Sequence, residues 1–214
     1  MRGFRSIGLA LVLLGVALVA FPTWAKVDQA AVGKGTSELG VALSWMQWGG
    51  NVKSDGDKGS QTNSHLSGVL NYGYFLTKAL ELGAEVTYST QSVEYGGDMS
   101  YLGTKNAITL LYDAKFTYNF ILKGAPALLP FAAVKVGEFS YHETGMESGG
   151  SGLTYGGALG LRYFVSRQGS LDLEFNYDYI SPFQIKDKYG TTDVDNASGM
   201  TVLVGTSIFI GGKK

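Results

Sequence analysis

The sequence predicts an all-β chain folded as an eight-stranded antiparallel up-and-down transmembrane β-barrel. Three observations carry this. Long stretches alternate apolar and polar residues with period two, which is the period of a strand because successive side chains point to opposite faces. The connections between these stretches alternate long and short, as they do in a sheet that runs up and down. Charged residues make up only 16% of the chain while aromatic residues reach 13%, against about 25% charged in soluble domains. That composition suits a protein with a large non-aqueous surface.

The first 25 residues stand apart. Arg2 and Arg5 precede an apolar run, Ile7 to Ala20, and Thr23-Trp24-Ala25 resembles a signal peptidase site. Residues 1–25 are therefore expected to be a cleaved signal peptide. The run is shorter than the roughly 20 residues a spanning helix needs, which argues against an anchor. Residues 26–36 form a short polar lead, expected to be loose. The barrel domain is placed at 37–210, with a tail at 211–214. The chain has no cysteine, so disulfides and thiolate metal sites are excluded. Its net charge of −1 gives no footprint for a nucleic-acid partner.

The strands follow in order. Ser37–Trp48 puts Leu39, Val41, Leu43 and Trp45 on one face and Gly40, Ala42, Ser44 and Met46 on the other. Gly49–Thr62, rich in Gly, Ser and Asp, reads as a long loop. In Asn63–Leu76, Leu66, Leu70, Tyr72, Tyr74 and Leu76 oppose Ser67, Asn71 and Gly73. The polar joint Thr77–Lys78 makes a hairpin to Ala79–Thr90, where Leu80, Leu82, Ala84, Val86 and Tyr88 oppose Glu81, Gly83, Glu85, Thr87 and Ser89. Gln91–Asn106 is the second long loop.

Ala107–Phe120 sets Ile108, Leu110, Tyr112, Ala114, Phe116, Tyr118 and Phe120 against Thr109, Asp113, Lys115, Thr117 and Asn119. Ile121–Leu129 connects it to a strand near Pro130–Ser140, with Ala132, Val134 and Val136 opposite Lys135 and Gly137. After the loop Tyr141–Ser151, Gly152–Ser166 alternates Leu153, Tyr155, Leu159, Leu161, Tyr163 and Val165 with Thr154, Gly156, Ala158, Gly160 and Arg162. Arg167-Gln168-Gly169 turns into Ser170–Ile180, where Leu171, Leu173, Phe175, Tyr177 and Tyr179 oppose Asp172, Glu174, Asn176 and Asp178. Ser181–Ala197 is the last long loop. Ser198–Ile210 closes the set, with Met200, Val202, Val204, Ile208 and Ile210 on its apolar face.

Alternation does not say which face is wet. A soluble barrel of the lipocalin type would turn the apolar set inward. The bulk of that set decides against it, because an eight-stranded barrel has an interior only wide enough for side chains or one small ligand. Position decides in the same direction. Trp45, Tyr88, Tyr155, Tyr177 and Tyr179 fall near the long-loop end, and Tyr74, Tyr118, Phe120 and Tyr163 near the short-turn end. Two aromatic girdles around an aliphatic band suit a bilayer, whose headgroup level accepts rings with polar tips. The lumen then holds Glu81, Glu85, Asp113, Lys115, Lys135, Arg162, Asp172, Glu174 and Asp178. Buried charges must be paired or solvated, so a polar network that fills the lumen is expected.

With these features the chain resembles the small eight-stranded outer-membrane barrels, the broad family that includes OmpX, OmpW and the OmpA membrane domain. The local match is Gly73-Tyr74-Phe75-Leu76-Thr77-Lys78-Ala79-Leu80-Glu81-Leu82-Gly83, an aromatic residue, a Thr-Lys turn and an "LELG" strand start. The resemblance covers about residues 37–210. It implies export to the cell outer membrane, contact with outer-membrane lipid, and insertion by the barrel-assembly machinery. Family members usually end on an outward aromatic residue that this machinery reads. Here the last strand gives Ile208-Phe209-Ile210 before Gly211-Gly212-Lys213-Lys214, which weakens that signal or shifts it inward.

The resemblance implies a non-enzymatic protein, without cofactor or metal, that acts in envelope structure or in surface contacts through its outer loops. An extracellular ligand or partner would meet Gly49–Thr62, Gln91–Asn106, Tyr141–Ser151 or Ser181–Ala197. The OmpW-like alternative is a passive route for small apolar molecules that leave sideways through the wall. A third possibility is a lipid-modifying barrel enzyme. His65, Ser67 and Glu85 supply the imidazole, hydroxyl and carboxylate such chemistry needs, though i, i+2 spacing in a strand is common by chance. His142 with Glu143 and Glu147, Asp55-Gly56-Asp57, and Asp187 with Asp193 and Asp195 could offer metal ligands. Each reads more simply as a solvated loop.

Overall fold

The computed structural model describes residues 32–54, 57–97, 104–125, 127–144, 148–187, 190–194 and 197–211. The signal-peptide segment 1–25, Asp55, Gly56, Glu147, Asp195 and residues 212–214 of the tail lie outside the described residues.

The strands are β1 Thr36–Ser54, β2 Asp57–Phe75, β3 Leu80–Gly97, β4 Thr104–Asn119 and β5 Leu128–Glu143. They continue as β6 Ser148–Phe164, β7 Gly169–Ile180, β8 Phe183–Asp187, β9 Gly190–Val194 and β10 Ala197–Gly211. Antiparallel ladders join β1 through β7 in chain order, β7 to β10, and β10 back to β1. The result is a closed wall of eight strands. The short β8–β9 hairpin lies in the connection from β7 to β10 and touches β6 at Gly149↔Lys186.

The predicted faces are the observed ones. Leu43, Leu70, Val134, Leu159 and Met200 are exposed outside the wall, while Glu81, Glu85, Lys115 and Lys135 are buried inside it. The short turns are set by side chains that replace missing ladder bonds. Thr77 Oγ1 accepts from the N–H groups of Ala79 and Leu80 at 3.1 and 3.0 Å, and Ser166 Oγ accepts from Gln168 N–H at 3.2 Å. Such hydroxyl-to-backbone bonds are the ordinary chemistry of a tight turn.

Three expectations need correction. The stretches Gly49–Thr62, Gln91–Asn106 and Tyr141–Ser151 are not loops for most of their length. The β1–β2 ladder runs on to Ser54↔Asp57, β2–β3 to Gly59↔Gly97, and β5–β6 to Glu143↔Ser148. Their Gly, Ser, Asn and Asp content marks where the wall leaves the apolar layer, not where pairing stops. A backbone ladder needs only N–H and C=O groups, which every residue but proline supplies.

Ser181–Ala197 likewise contains a hairpin, β8–β9. The described part of the lead is not loose. Val32 is 3% exposed and packs with Phe75, Leu129, Phe164 and Phe209, and Gly35 N–H donates to Phe75 C=O at 2.9 Å. These inward rings open onto the short-turn end, and the lead shields them from water there.

The inward aromatics are the third correction, to a lumen expected to be polar. Phe75, Phe131, Phe139, Phe164 and Phe209 are all buried. Phe131 fits because its cross-strand neighbour is Gly160, where a side-chain carbon would collide with the Phe131 ring.

Two substitutions check the orientation. Leu70 is 59% exposed and paired with Val41 and Val86 in mid-wall. Leu70→Arg is expected to lower stability in lipid by about 2–4 kcal/mol. Gly160→Val, on the inner face, should cost about 1–3 kcal/mol by overpacking. Unfolding of the purified barrel, followed by the mobility difference between unboiled and boiled samples, measures both. A Leu70→Arg barrel as stable as the parent would mean that this face does not meet lipid.

Candidate functional site

Among the described residues, Glu38, Glu81, Glu85, Asp113, Asp172, Glu174 and Asp178 point into the lumen from the wall strands with Lys115, Lys135 and Arg162. Alternation along each strand fixes their direction, and the sheet's closure brings them together. They form two clusters, one on either side of Phe131.

In the cluster nearer the short turns, Arg162 is 3% exposed. Its Nη2 lies 2.7 Å from Glu38 Oε2 and its Nη1 2.9 Å from Glu81 Oε2. Nη1 also donates to Asn119 Oδ1 at 3.0 Å. The Glu38 contact is an ion pair by distance, but the N–H is not aimed along it, so Oε2 accepts no hydrogen bond. Glu38 Oε1 accepts from Asn71 Nδ2 at 3.1 Å and from Ser207 Oγ at 2.8 Å. Asp172 is held by Ser170 Oγ and Ser207 Oγ, both at 2.6 Å. The guanidinium carbon stands 4.8 Å from the centre of the Phe131 ring and 5.9 Å from that of Phe75, within reach of cation–π attraction.

In the outer cluster, Lys115 Nζ lies 3.1 Å from Glu85 Oε2 and 2.8 Å from Glu174 Oε2. Lys135 Nζ lies 3.3 Å from Glu85 Oε1 and 3.1 Å from Asp178 Oδ1. Glu85 thus bridges two lysines. Lys115 also sits 5.7 Å from the Phe131 ring centre, so one aromatic ring separates the two charge clusters.

All nine predicted lumen residues take part in or border these clusters: Glu81, Glu85, Asp113, Lys115, Lys135, Arg162, Asp172, Glu174 and Asp178. Neither oxygen of Asp113 accepts a hydrogen bond. Glu38 and the inward phenylalanines were not singled out from the sequence, and Asn71 and Asn119, placed on the polar face, were not assigned to the network. Their signal was parity: Glu38 precedes Gly40 by two, and Phe131, Phe164 and Phe209 each lie two residues from an inward position.

The girdle residues Tyr74, Tyr88, Tyr118, Phe120, Tyr155 and Tyr177 are exposed on the outer face. Trp45, Tyr163 and Tyr179 are half-buried. Neighbouring rings pack on one another, Tyr155 on Tyr179 at 4.7 Å and Tyr118 on Phe120 at 5.0 Å between centres.

The sequence's candidate triad does not assemble. Ser67 Oγ is bonded to Ser89 Oγ at 2.6 Å, and both oxygens of Glu85 are held by lysines. Among the loop candidates, His142 is exposed, Glu143 Oε2 accepts from Ser148 Oγ at 3.3 Å, and Asp193 Oδ1 accepts from Gln184 Nε2 at 2.9 Å.

The arginine cluster makes a direct prediction. Arg162→Ala leaves Glu38 and Glu81 facing each other without a cation, and breaking a buried pair costs about 3–5 kcal/mol. Adding Glu38→Gln and Glu81→Gln should recover much of that loss. Denaturant unfolding in micelles, followed by tryptophan fluorescence, reads the difference.

Comparison with known proteins places this geometry. Residues 11–207 match the family described as "Outer membrane protein beta-barrel domain". No curated protein matches the chain. Among solved structures, Neisserial surface protein A (NspA) aligns with a TM-score of 0.55 at 16% identity, over 82% of this chain and 97% of that one. The outer membrane protein OprG from Pseudomonas aeruginosa aligns with a TM-score of 0.55 at 15% identity, over 86% and 100%. At such identities the likeness is one of fold. With the closed eight-stranded wall and its lipid-facing apolar surface, the family match makes the conclusion plain: this chain belongs to the outer membrane protein β-barrel domain family.

Proposed function

We propose that this is a non-enzymatic outer-membrane barrel, exported by its N-terminal signal segment, whose lumen is closed and whose contacts are made by its outer hairpins. One observation carries the reading. Between the two charge clusters the lumen holds a cavity of only about 30 Å³, lined by Glu38, Lys115, Phe131, Arg162 and Glu174 among others. That is room for a few water molecules at most. The inner face is occupied by ion pairs and rings. What remains for function is the outer rim, where the β1–β2 and β2–β3 ladders continue well past the girdle residues Trp45 and Tyr88. Rigid paired backbone there offers a preformed surface to a partner or to the envelope.

A second reading, a sideways route for small apolar molecules, is favoured by the seam between β1 and β10. Among the described residues their ladder ends at Leu43↔Val204, although β1 continues to Ser54 and β10 begins at Ala197. Outside the wall at that point lies an apolar groove of about 590 Å³, lined by Leu43, Gly68, Leu70, Tyr88 and Val204. Ala42 and Gly205 border both this groove and the lumen cavity.

Reconstitution separates the readings. The purified barrel in planar bilayers is expected to show no ion current at any voltage, and liposomes carrying it no faster uptake of a small hydrocarbon probe than empty ones. Probe uptake without current would favour the seam, and steady current would overturn the closed lumen. Lipid A and phospholipids should be unchanged on overexpression, with or without Ser67→Ala.

A further inference from the structure

The outer face of the wall changes character between two neighbouring rows at the outer girdle. Trp45, Leu66, Thr90 and Ile108 stand side by side on β1 to β4. At the next outward position up each strand come Ser64, Ser92 and Asn106, all polar. This is where an acyl layer gives way to headgroups.

A hollow of about 370 Å³ lies at this boundary. Trp45, Leu66 and Ile108 give it an apolar side, and Thr90, Ser92 and Asn106 give it hydroxyl and amide groups. Thr90, Ser92 and Ile108 are half-buried although they point out of the wall, as the sides of a recess must be. Among the described residues no hydrogen bond uses the side chains of Thr90, Ser92 or Asn106, and no lysine, arginine or carboxylate lines the hollow.

The hollow has a continuation. Two residues down each strand, about 7 Å at ~3.4 Å per residue, Leu43, Gly68 and Tyr88 stand side by side on β1, β2 and β3. They form the top of the apolar groove of about 590 Å³, which descends over Val41 and Leu70 to Thr206 and Leu171. Gly68 opens that groove. It is an outward position with no side chain between Leu43 and Tyr88, and the nearest atom to a side-chain carbon built there is Leu43 Cδ2 at 3.7 Å.

A polar hollow above an apolar groove, in line on one lipid-facing surface, matches the two ends of a single lipid molecule. The chemistry of the hollow selects the headgroup. Uncharged hydroxyls and an amide can each donate and accept, as the hydroxyls of a sugar require, whereas a phosphate calls for arginine or lysine. The Trp45 indole adds a flat apolar surface with a polar edge, suited to the C–H face of a sugar ring at headgroup level.

We infer that the outer face of β1–β4 holds one lipid with an uncharged sugar headgroup, its sugar in the hollow at Thr90, Ser92 and Asn106 and an acyl chain in the groove over Gly68. The site lies wholly outside the lumen, so it does not depend on whether the lumen is closed.

The test uses the purified barrel in micelles of a zwitterionic detergent, with either a glucosyl diacylglycerol or a phosphatidylcholine of the same chains added. Native mass spectrometry counts the lipid molecules that stay on the barrel. The parent is expected to saturate at one glucosyl lipid and to hold it roughly fivefold more tightly than phosphatidylcholine, the size of about one net hydrogen bond. Thr90→Val keeps the shape and removes a hydroxyl, and should erase most of that preference. Gly68→Leu fills the groove and should weaken the retention of both lipids. Both variants place an apolar side chain on a lipid-facing surface, and an unchanged mobility shift between unboiled and boiled samples reports that they fold. Equal retention of the two lipids by the parent, binding that rises without saturating at one, or retention unaltered in either variant would each overturn the site.

Discussion

A hydrocarbon layer offers no hydrogen-bond partner to the backbone, and everything else in this structure follows from that. Each N–H and C=O that crosses it must be paired inside the protein, and a sheet meets the demand only by closing on itself. The bond that closes this one is the β1–β10 ladder, from Thr36↔Gly211 to Leu43↔Val204. It joins the first and last strands of the wall, so no turn holds it in register. Inward and outward parity have to hold it instead, because a slip of one residue would turn Glu38 toward lipid and Leu39 into the lumen.

Closure with eight strands then dictates the lumen. The bore is narrow, and small residues along the inner face leave space that a few large side chains fill. Phenylalanines and ion pairs divide that space. Phe131 separates Arg162 from Lys115, and its ring faces a cation on either side. Buried ion pairs of this kind are modest contributors to net stability, but the loss of one partner is costly. Their clearest physical effect is on register. Arg162 on β6 reaches Glu38 on β1 and Glu81 on β3, so three strands that are not neighbours are fixed against one another through the interior.

The outer rim obeys different physics. Above the girdles water can satisfy backbone groups, so pairing is no longer compulsory, yet the hairpins stay paired far beyond them. The β1–β10 seam does the opposite and ends at the height where its neighbours continue. The barrel is therefore asymmetric about its axis. A tall wall built on β1, β2 and β3 stands beside a short seam with an apolar groove at its end. That asymmetry bears on both functional readings, since a tall wall favours surface contact and an open seam favours lateral passage.

Sequence alone determined the number of wall strands, their faces and the residues that enter the lumen, because period-two alternation is a local property and a bilayer makes its phase unambiguous. It misjudged the connections, since Gly- and Ser-rich stretches such as Gly49–Thr62 read as loops but pair as strand. Nothing in local sequence reports whether the strand alongside continues.

Only the tertiary structure decided which lumen charges meet. Glu85 and Lys115 lie on adjacent strands, but Arg162 and Glu38 are 124 positions apart in the chain, and their contact depends on the curvature and stagger of the closed wall. The same holds for Phe131 over Gly160 and for Asp113 leaning over Gly137. Parity says that a side chain points inward. How far it reaches, and what it finds there, is set by the opposite side of the barrel.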